Sequence, residues 1–395
     1  MRLRQIKLIA ATAALSVICA VQASEPARPY TFFTVDIPGS LSTTVFGINS
    51  NRDIVGAFET PFPPEFGLSS ELRWNHGFVL RDGNLTIVDA PQSILTQLRG
   101  INADGDIVGT YIPLQNAGTP GGGFRGLVIR NGGDLTPLDF KPAHLNTNLI
   151  RISSNGTIVG CYHDDGIDSG PQDSMHGVMI DNKGIMTAID DEIPGVQFGS
   201  NMFTGTTDNG KRKSGFMFDH SPSFNRSRGY EITDGKFAFF DVPGSKYTQA
   251  WDINPSGDIV GMYGDGDVVA DSNLRAHGFL KSNDTYQSIE YPGMIDTRAF
   301  GINPARDIVG TYQTEDGHSH GFVAIVEPYL AQGSGNALSA LKLPANVQTR
   351  TPVRVNLAPI DKSAPLAKST GEAPACHRVA VKTAAVANKA IKAAD

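Results

Sequence analysis

Cysteine is scarce: there are 3 in 395 residues, and Cys19 lies inside the opening apolar run. So few thiols exclude a disulfide-stapled scaffold. Charge is sparse as well, at 18%, with 33 Lys+Arg against 40 Asp+Glu for a net of −7. That acidic balance argues against nucleic acid as the main partner, which would require a basic surface. No apolar run reaches the about 20 residues that span a bilayer; the longest, Leu8 to Val21, falls short. No window before the C-terminal region holds a 3.6-residue period, so a helical bundle is excluded too. Nucleophile-elbow, P-loop, dinucleotide, HExxH and CxxC patterns are all missing. Glycine and proline, by contrast, are abundant at 43 and 24, the mark of a chain that turns often.

Residues 1–23 read as a secretory signal peptide. Arg2, Arg4 and Lys7 precede the apolar run, and Val21-Gln22-Ala23 puts small residues where cleavage occurs. The mature protein is therefore expected to be secreted or periplasmic, with no membrane span. Export permits disulfides, but only Cys161 and Cys376 remain after cleavage, and pairing and two thiols are both open.

The strongest signal is internal repetition. FGINSNRDIVGAF (Phe46 to Phe58), RGINADGDIVGTY (Arg99 to Tyr111), RISSNGTIVGCY (Arg151 to Tyr162), WDINPSGDIVGMY (Trp251 to Tyr263) and FGINPARDIVGTY (Phe300 to Tyr312) are copies, and NMFTGT, ending at Thr206, is a decayed one. An HGF-like element follows at His76, Arg125, His176, Ser214, His277 and His320, then an acid-proline element as in KFAFFDVPG, Lys236 to Gly244. Each piece is short, rich in β-branched and aromatic residues, and bounded by Gly, Asn, Asp or Pro, which makes it a strand. Asn254-Pro255-Ser256-Gly257-Asp258 is a tight turn with Gly at the left-handed position; Arg52 and Arg306 occupy that position elsewhere and are expected to carry backbone strain.

Four strands in about 50 residues is the size of one propeller blade. The last copy, ending at His320 to Glu327, lacks its fourth strand, while TFFTVDIPG (Thr31 to Gly39) supplies one at the other end of the chain. The expected fold is therefore all-β: a six-bladed β-propeller over residues 24–328, of four-stranded antiparallel blades, closed by the N-terminal strand. A straight β-solenoid is the alternative, but it leaves edges exposed. Residues 329–395, rich in Ala, Pro and Lys with almost no aromatics, are expected to form a mostly disordered basic tail.

These motifs resemble the HAF family of bacterial extracellular repeat proteins, named for a His-Ala-Phe triplet that here reads His-Gly-Phe. The likeness covers Thr31 to Pro328. It implies an exported bacterial protein with a β-propeller fold and carries over no catalytic residue. The fourth copy, without the Ile-Asn turn and the histidine, departs most.

The recurring histidines suggest a metal ring, but an acid closes each unit near its fourth strand (Asp36, Asp89, Asp139, Asp191 or Asp190, Asp241, Glu290), so hydrogen bonds within units are the better expectation. The loops after the second strands are long and dissimilar, and a uniform scaffold with one variable loop set places its specific chemistry there. Asp265, Asp267 and Asp271 in one of them suit a hard cation and are a candidate Ca²⁺ site. No other cofactor is expected. His163 with Asp164 or Asp165 is the candidate acid–base group, and Tyr263 and Tyr312 are candidates at the rim. The expectation is a monomeric binding or scaffold protein that recognises a glycan, peptide or envelope partner through this loop face. An extracellular hydrolase or lyase on the same face, with Ca²⁺, is the alternative.

Overall fold

The computed structural model describes residues 29–62, 73–116, 123–140, 146–163, 175–188, 201–207, 209–221, 224–264, 275–294, 296–327, 341–344 and 346–360. The fold is all-β. Strand β1 (Pro29–Val35) precedes unit I, made of β2 (Ser42–Ile48), β3 (Ile54–Pro61), β4 (Arg73–Arg81) and β5 (Asn84–Val88). Unit II holds β6 (Ser93–Ile101), β7 (Ile107–Pro113), β8 (Arg125–Ile129) and β9 (Leu135–Pro137); unit III holds β10 (Thr147–Ile152), β11 (Ile158–His163), β12 (Met175–Ile180) and β13 (Met186–Ala188). Unit IV is β14 (Asn201–Thr206), β15 (Arg212–Ser221), β16 (Phe224–Thr233) and β17 (Lys236–Phe240). Unit V is β18 (Tyr247–Ile253), β19 (Ile259–Gly264), β20 (His277–Ser282) and β21 (Thr285–Ile289). Unit VI has β22 (Asp296–Ile302), β23 (Ile308–Gln313) and β24 (Ser319–Val326), and β1 pairs antiparallel with β24 from Tyr30↔Val326 to Val35↔Gly321. Backbone pairing yields five open sheets, because a single parallel pair, Asn75↔Leu95, joins units I and II.

Local chemistry explains the repeated letters. In the Ile-Asn turns the asparagine side chain folds back: Asn49 Oδ1 accepts the Asp53 N–H at 2.9 Å, as do Asn102, Asn254 and Asn303 for Asp106, Asp258 and Asp307. The same side chain stitches units together. Asn254 Nδ2 donates to Asn303 O, Asn303 Nδ2 to Asn49 O, Asn49 Nδ2 to Asn102 O, and Asn102 Nδ2 to Ser153 O. Each of these carbonyls also accepts an N–H within its own turn, so the asparagine supplies its second hydrogen bond and ties one unit to the next. Arg52 and Arg306 do take the left-handed conformation, at φ 65° and 68°. Each guanidinium reaches the aspartate of the preceding unit, Arg52 to Asp307 at 2.7 Å and Arg306 to Asp258 at 3.2 Å, a contact glycine cannot make.

The Ile-Val-Gly strands bury their aliphatic side chains between sheets: Ile54, Val55, Ile259, Val260, Ile308 and Val309 are all at most 1% exposed. Glycine closes this packing. A Cβ on Gly310 would sit 1.9 Å from Arg298 O, and one on Gly261 2.0 Å from Gln249 O.

Register corrects the sequence reading in unit IV. The sequence sets NMFTGT as its Ile-Val-Gly copy, which makes Gly205 the second-strand glycine, and Ser214 at its histidine position. Gly205 lies on the first strand, Gly215 is the second-strand glycine (Phe203↔Gly215), and Arg228-Gly229-Tyr230 fills the His-Gly-Phe position. The unit kept its hydrogen-bond plan but changed the letters that mark it.

A second correction concerns the region after Pro328. Residues 341–360 include β25 (Val353–Asn356), which pairs with the outer edge of β1, and β26 (Ala358–Pro359), which pairs with β21. Leu341, Val347 and Leu357 are buried, and Lys342 pairs with Asp82 at 2.8 Å. This part of the expected tail is thus a strap over units I, VI and V. Among the described residues no helix is long and apolar enough to cross a membrane.

Candidate functional site

The first strands of the units converge on a common centre, and each carries a bulge there. The pairing steps from Val45 to Gly47, Leu98 to Gly100, Leu149 to Arg151, Phe203 to Gly205, Ala250 to Asp252 and Ala299 to Gly301. The skipped, bulged residues are Phe46, Arg99, Ile150, Thr204, Trp251 and Phe300. A β-bulge re-aims a side chain, and here it provides one variable position per unit beside the centre.

The position after the bulge is glycine in four units, and the backbones of neighbours press against it. A Cβ on Gly47 would lie 2.8 Å from Arg99 O, and one on Gly301 2.9 Å from Phe46 O. In units III and V this position holds Arg151 and Asp252, an ion pair of 3.1 Å whose side chains are 7% and 9% exposed. Arg151 also donates to Arg99 O at 2.5 Å, to Phe46 O at 2.9 Å and to Phe300 O. Burial raises the Asp252 carboxyl, opposed by Arg151 and by the N–H groups of Ile302 and Ile253. The pair plugs the centre. The repeat as read from the sequence set Arg151 level with Arg99; the register puts Ile150 level with Arg99.

On the side of the tight turns the plug is the floor of a pit of about 50 Å³ lined by Asn49, Asn102, Thr207, Asn254 and Asn303 among others. That is room for water and little more. On the side of the variable loops lies an aromatic group: Phe46 and Phe300 at 5.4 Å, Trp251 and Phe300 at 5.1 Å edge-on, Phe216 and Trp251 at 5.6 Å. The Arg99 guanidinium stands 4.5 Å from the Phe46 ring centre and donates to Gln97 Oε1. Burial pulls this arginine down to about 10, so it stays cationic at neutral pH. Its Nε and the Trp251 Nε1 are both buried without an acceptor among the described residues.

The histidine–acid expectation is met where both partners are described. His76 Nδ1 lies 2.8 Å from Asp89, His277 Nδ1 2.8 Å from Glu290, and His320 Nδ1 3.0 Å from Asp36; Arg125 and Arg228 pair with Asp139 and Asp241 in the same place. Each of these histidine rings also lies against an aromatic of the second strand: His76 stacks on Phe58 at 5.1 Å and His320 on Tyr312 at 5.2 Å, and His277 is tilted on Tyr263 at 5.4 Å. These groups brace the units. Tyr263 and Tyr312 are buried in the same layer, with Tyr312 Oη 3.0 Å from Thr34 and Tyr263 Oη 3.3 Å from Ser288, so they are not rim residues.

His163 ends β11, is 9% exposed, and donates its N–H to Asn146 O. Asp164, Asp165, Asp265, Asp267, Asp271, Asp190, Asp191 and Cys376 lie outside the described residues, as does the expected signal peptide. Among the described residues no group of three His, Cys, Asp or Glu could hold a metal ion. Arg99, Trp251, Arg151 and Asp252 were missed by the sequence reading. The signal was present, since they are where FGIN becomes RGIN, RIS and WDIN.

No protein-family model matches the chain, and no curated protein matches it. Solved structures do. Streptogramin B lyase is similar over 76% of this chain and 98% of its own, at 10% identity and a TM-score of 0.40. The β-propeller domain of the Trilobed protease from Pyrococcus furiosus, with an open velcro topology, matches 72% of this chain and 94% of its own, at 8% identity and a TM-score of 0.43. Trypanosoma rangeli sialidase in complex with 2,3-difluorosialic acid matches 72% of this chain and 54% of its own, at 12% identity and a TM-score of 0.42.

Proposed function

We propose that the protein is an exported, closed six-bladed β-propeller of the HAF repeat type that binds a glycan, peptide or envelope component at the central mouth of its loop face. Closure is supported by the pairing of β1 with β24 and by contacts between units VI and I: the Arg52–Asp307 ion pair, Asn303 to Asn49 O, and Phe46 against Phe300. Export rests on residues 1–23, and membership of the HAF type on the His-Gly-Phe and Ile-Asn/Ile-Val-Gly letters.

One observation carries the binding reading. The turn and the core strand recur in five units and a His–acid or Arg–acid brace in every unit where both partners are described, while the bulged central position is Phe46, Arg99, Ile150, Thr204, Trp251 or Phe300. A scaffold that varies its chemistry where six units meet, on the side of its variable loops, can build one asymmetric site there. The hydrolase or lyase alternative uses the same face.

The test is retention and turnover measured together. Protein lacking residues 1–23 is offered glycan, peptide and cell-envelope panels, with and without EDTA. Retention that Trp251→Ala abolishes, and that Ile87→Ala on the exposed outer surface leaves intact, is the expected result. Turnover lost in His163→Ala, with axial variants inert, would establish the hydrolase reading instead.

A further inference from the structure

We infer that the axial mouth takes a carboxylate-bearing sugar, with Arg99 as the residue that holds the carboxylate; this rests on the binding reading above. The argument is a count of donors and acceptors. Arg99 satisfies only Nη2, through Gln97 Oε1; its Nε is buried and has no acceptor. The Trp251 indole N–H is in the same condition. Buried donors without partners cost about 1–3 kcal/mol each, so a native structure retains them where something else supplies the acceptor. What is missing is acceptors, and the only acid at the centre among the described residues, Asp252, is already taken by Arg151 and two backbone N–H groups. Arg99 therefore has no carboxylate partner among the described residues, although burial disfavours its charge.

A carboxylate offers several lone pairs in a plane and matches a guanidinium edge. The remaining walls set the rest of the ligand. Phe46 and Phe300 are buried in a cluster on which Trp251 packs, and Trp251 and Arg99 are the partly exposed members of this group. A partly exposed indole suits the C–H face of a pyranose, while its buried N–H still lacks an acceptor among the described residues. Acidic residue and apolar ring on one small ligand describe a uronic-acid sugar better than a neutral glycan.

The chain has two tryptophans, so Trp74→Phe leaves Trp251 as the reporter. Its fluorescence is titrated with oligogalacturonate, the fully methyl-esterified oligomer, a poly-glutamate peptide and sodium sulfate. The expected result is saturable change with oligogalacturonate, at least about tenfold weaker binding after esterification, and a similar loss in Arg99→Gln with partial recovery in Arg99→Lys. Each variant's melting temperature checks that it folds. Equal affinity for the esterified oligomer, for sulfate or for the peptide overturns the assignment, as does Arg99→Gln binding like the parent. Binding that survives Arg99→Gln but disappears in Trp251→Ala, read by isothermal titration calorimetry because that variant lacks the reporter, keeps the axial site and rejects the anion. No saturable change with any probe rejects the sugar acid, while retention of another ligand from the panels above would still support the axial site.

Discussion

Arg151 Nε and Asp252 Oδ2 meet 3.1 Å apart at the centre of the fold, each on the strand position that is glycine in the other four units. The pair is buried, and it stands between the turn-side pit and the aromatic cluster of Phe46, Trp251 and Phe300. Removing one partner leaves the other charge uncompensated. Arg151→Ala should therefore cost about 3–5 kcal/mol at neutral pH in chemical denaturation.

The pH dependence of that loss has a definite sign. Burial raises the folded-state carboxyl of Asp252, and Arg151 opposes the rise. Without Arg151 the folded value climbs further above the unfolded one. A raised carboxyl stabilises the fold while protonated and loses that contribution as pH rises through the folded value. The deficit of Arg151→Ala relative to the parent should thus grow from acid toward neutral pH. A deficit that shrinks over that range would contradict the pair's role.

The asparagine belt predicts a cost shared between units. Asn303→Ala deletes the bond to Asn49 O and both bonds with Asp307. A loss of about 1–3 kcal/mol is expected, chiefly from the buried Asp307 N–H left without its acceptor. Differential scanning calorimetry checks it, and an unchanged transition would mean that the belt is ornamental.

The histidine braces are structural in this account. His277→Ala strands Glu290, with a cost at the low end of about 1–3 kcal/mol because both groups are more than a third exposed or nearly so. Metal content by mass spectrometry should not change. Stoichiometric Zn²⁺ or Ni²⁺ that vanishes with His277 would reverse the assignment.

The strap makes a further prediction. Val347 is fully buried, and its backbone carbonyl accepts the Asp36 N–H at 2.9 Å. Val347→Asp, or a chain ending at Glu327, should lower the melting temperature, Val347 alone accounting for about 1.5–3 kcal/mol of burial. A chain ending at Glu327 that melts like the parent would show the strap to be dispensable.

Much of this was legible in the letters. Ile-Asn, Ile-Val-Gly and the His–acid pairing are local or within one unit, so each unit writes them afresh, and Arg52 and Arg306 stand out against the glycine of their sister turns. What was not legible depends on register. A bulge consumes one residue without leaving a mark, so Arg151 was set level with Arg99 although it occupies the place of Gly100. Unit IV spells its histidine brace as Arg228–Asp241, which no His-Gly-Phe search finds. Val353 to Pro359 reads as tail because an outer-edge strand exposes most of its side chains, and only its backbone pairs with β1.

The axis, and every residue placed around it, exists only if the first strand completes the last unit. Tyr30 and Val326 face each other across β1 and β24. In a background with Cys161→Ala and Cys376→Ser, the pair Tyr30→Cys and Val326→Cys should form a disulfide in the folded protein under mild oxidation, detected by mass spectrometry of a non-reduced digest. Two thiols that stay free in the native protein, in a chain that still folds, would contradict the closed ring.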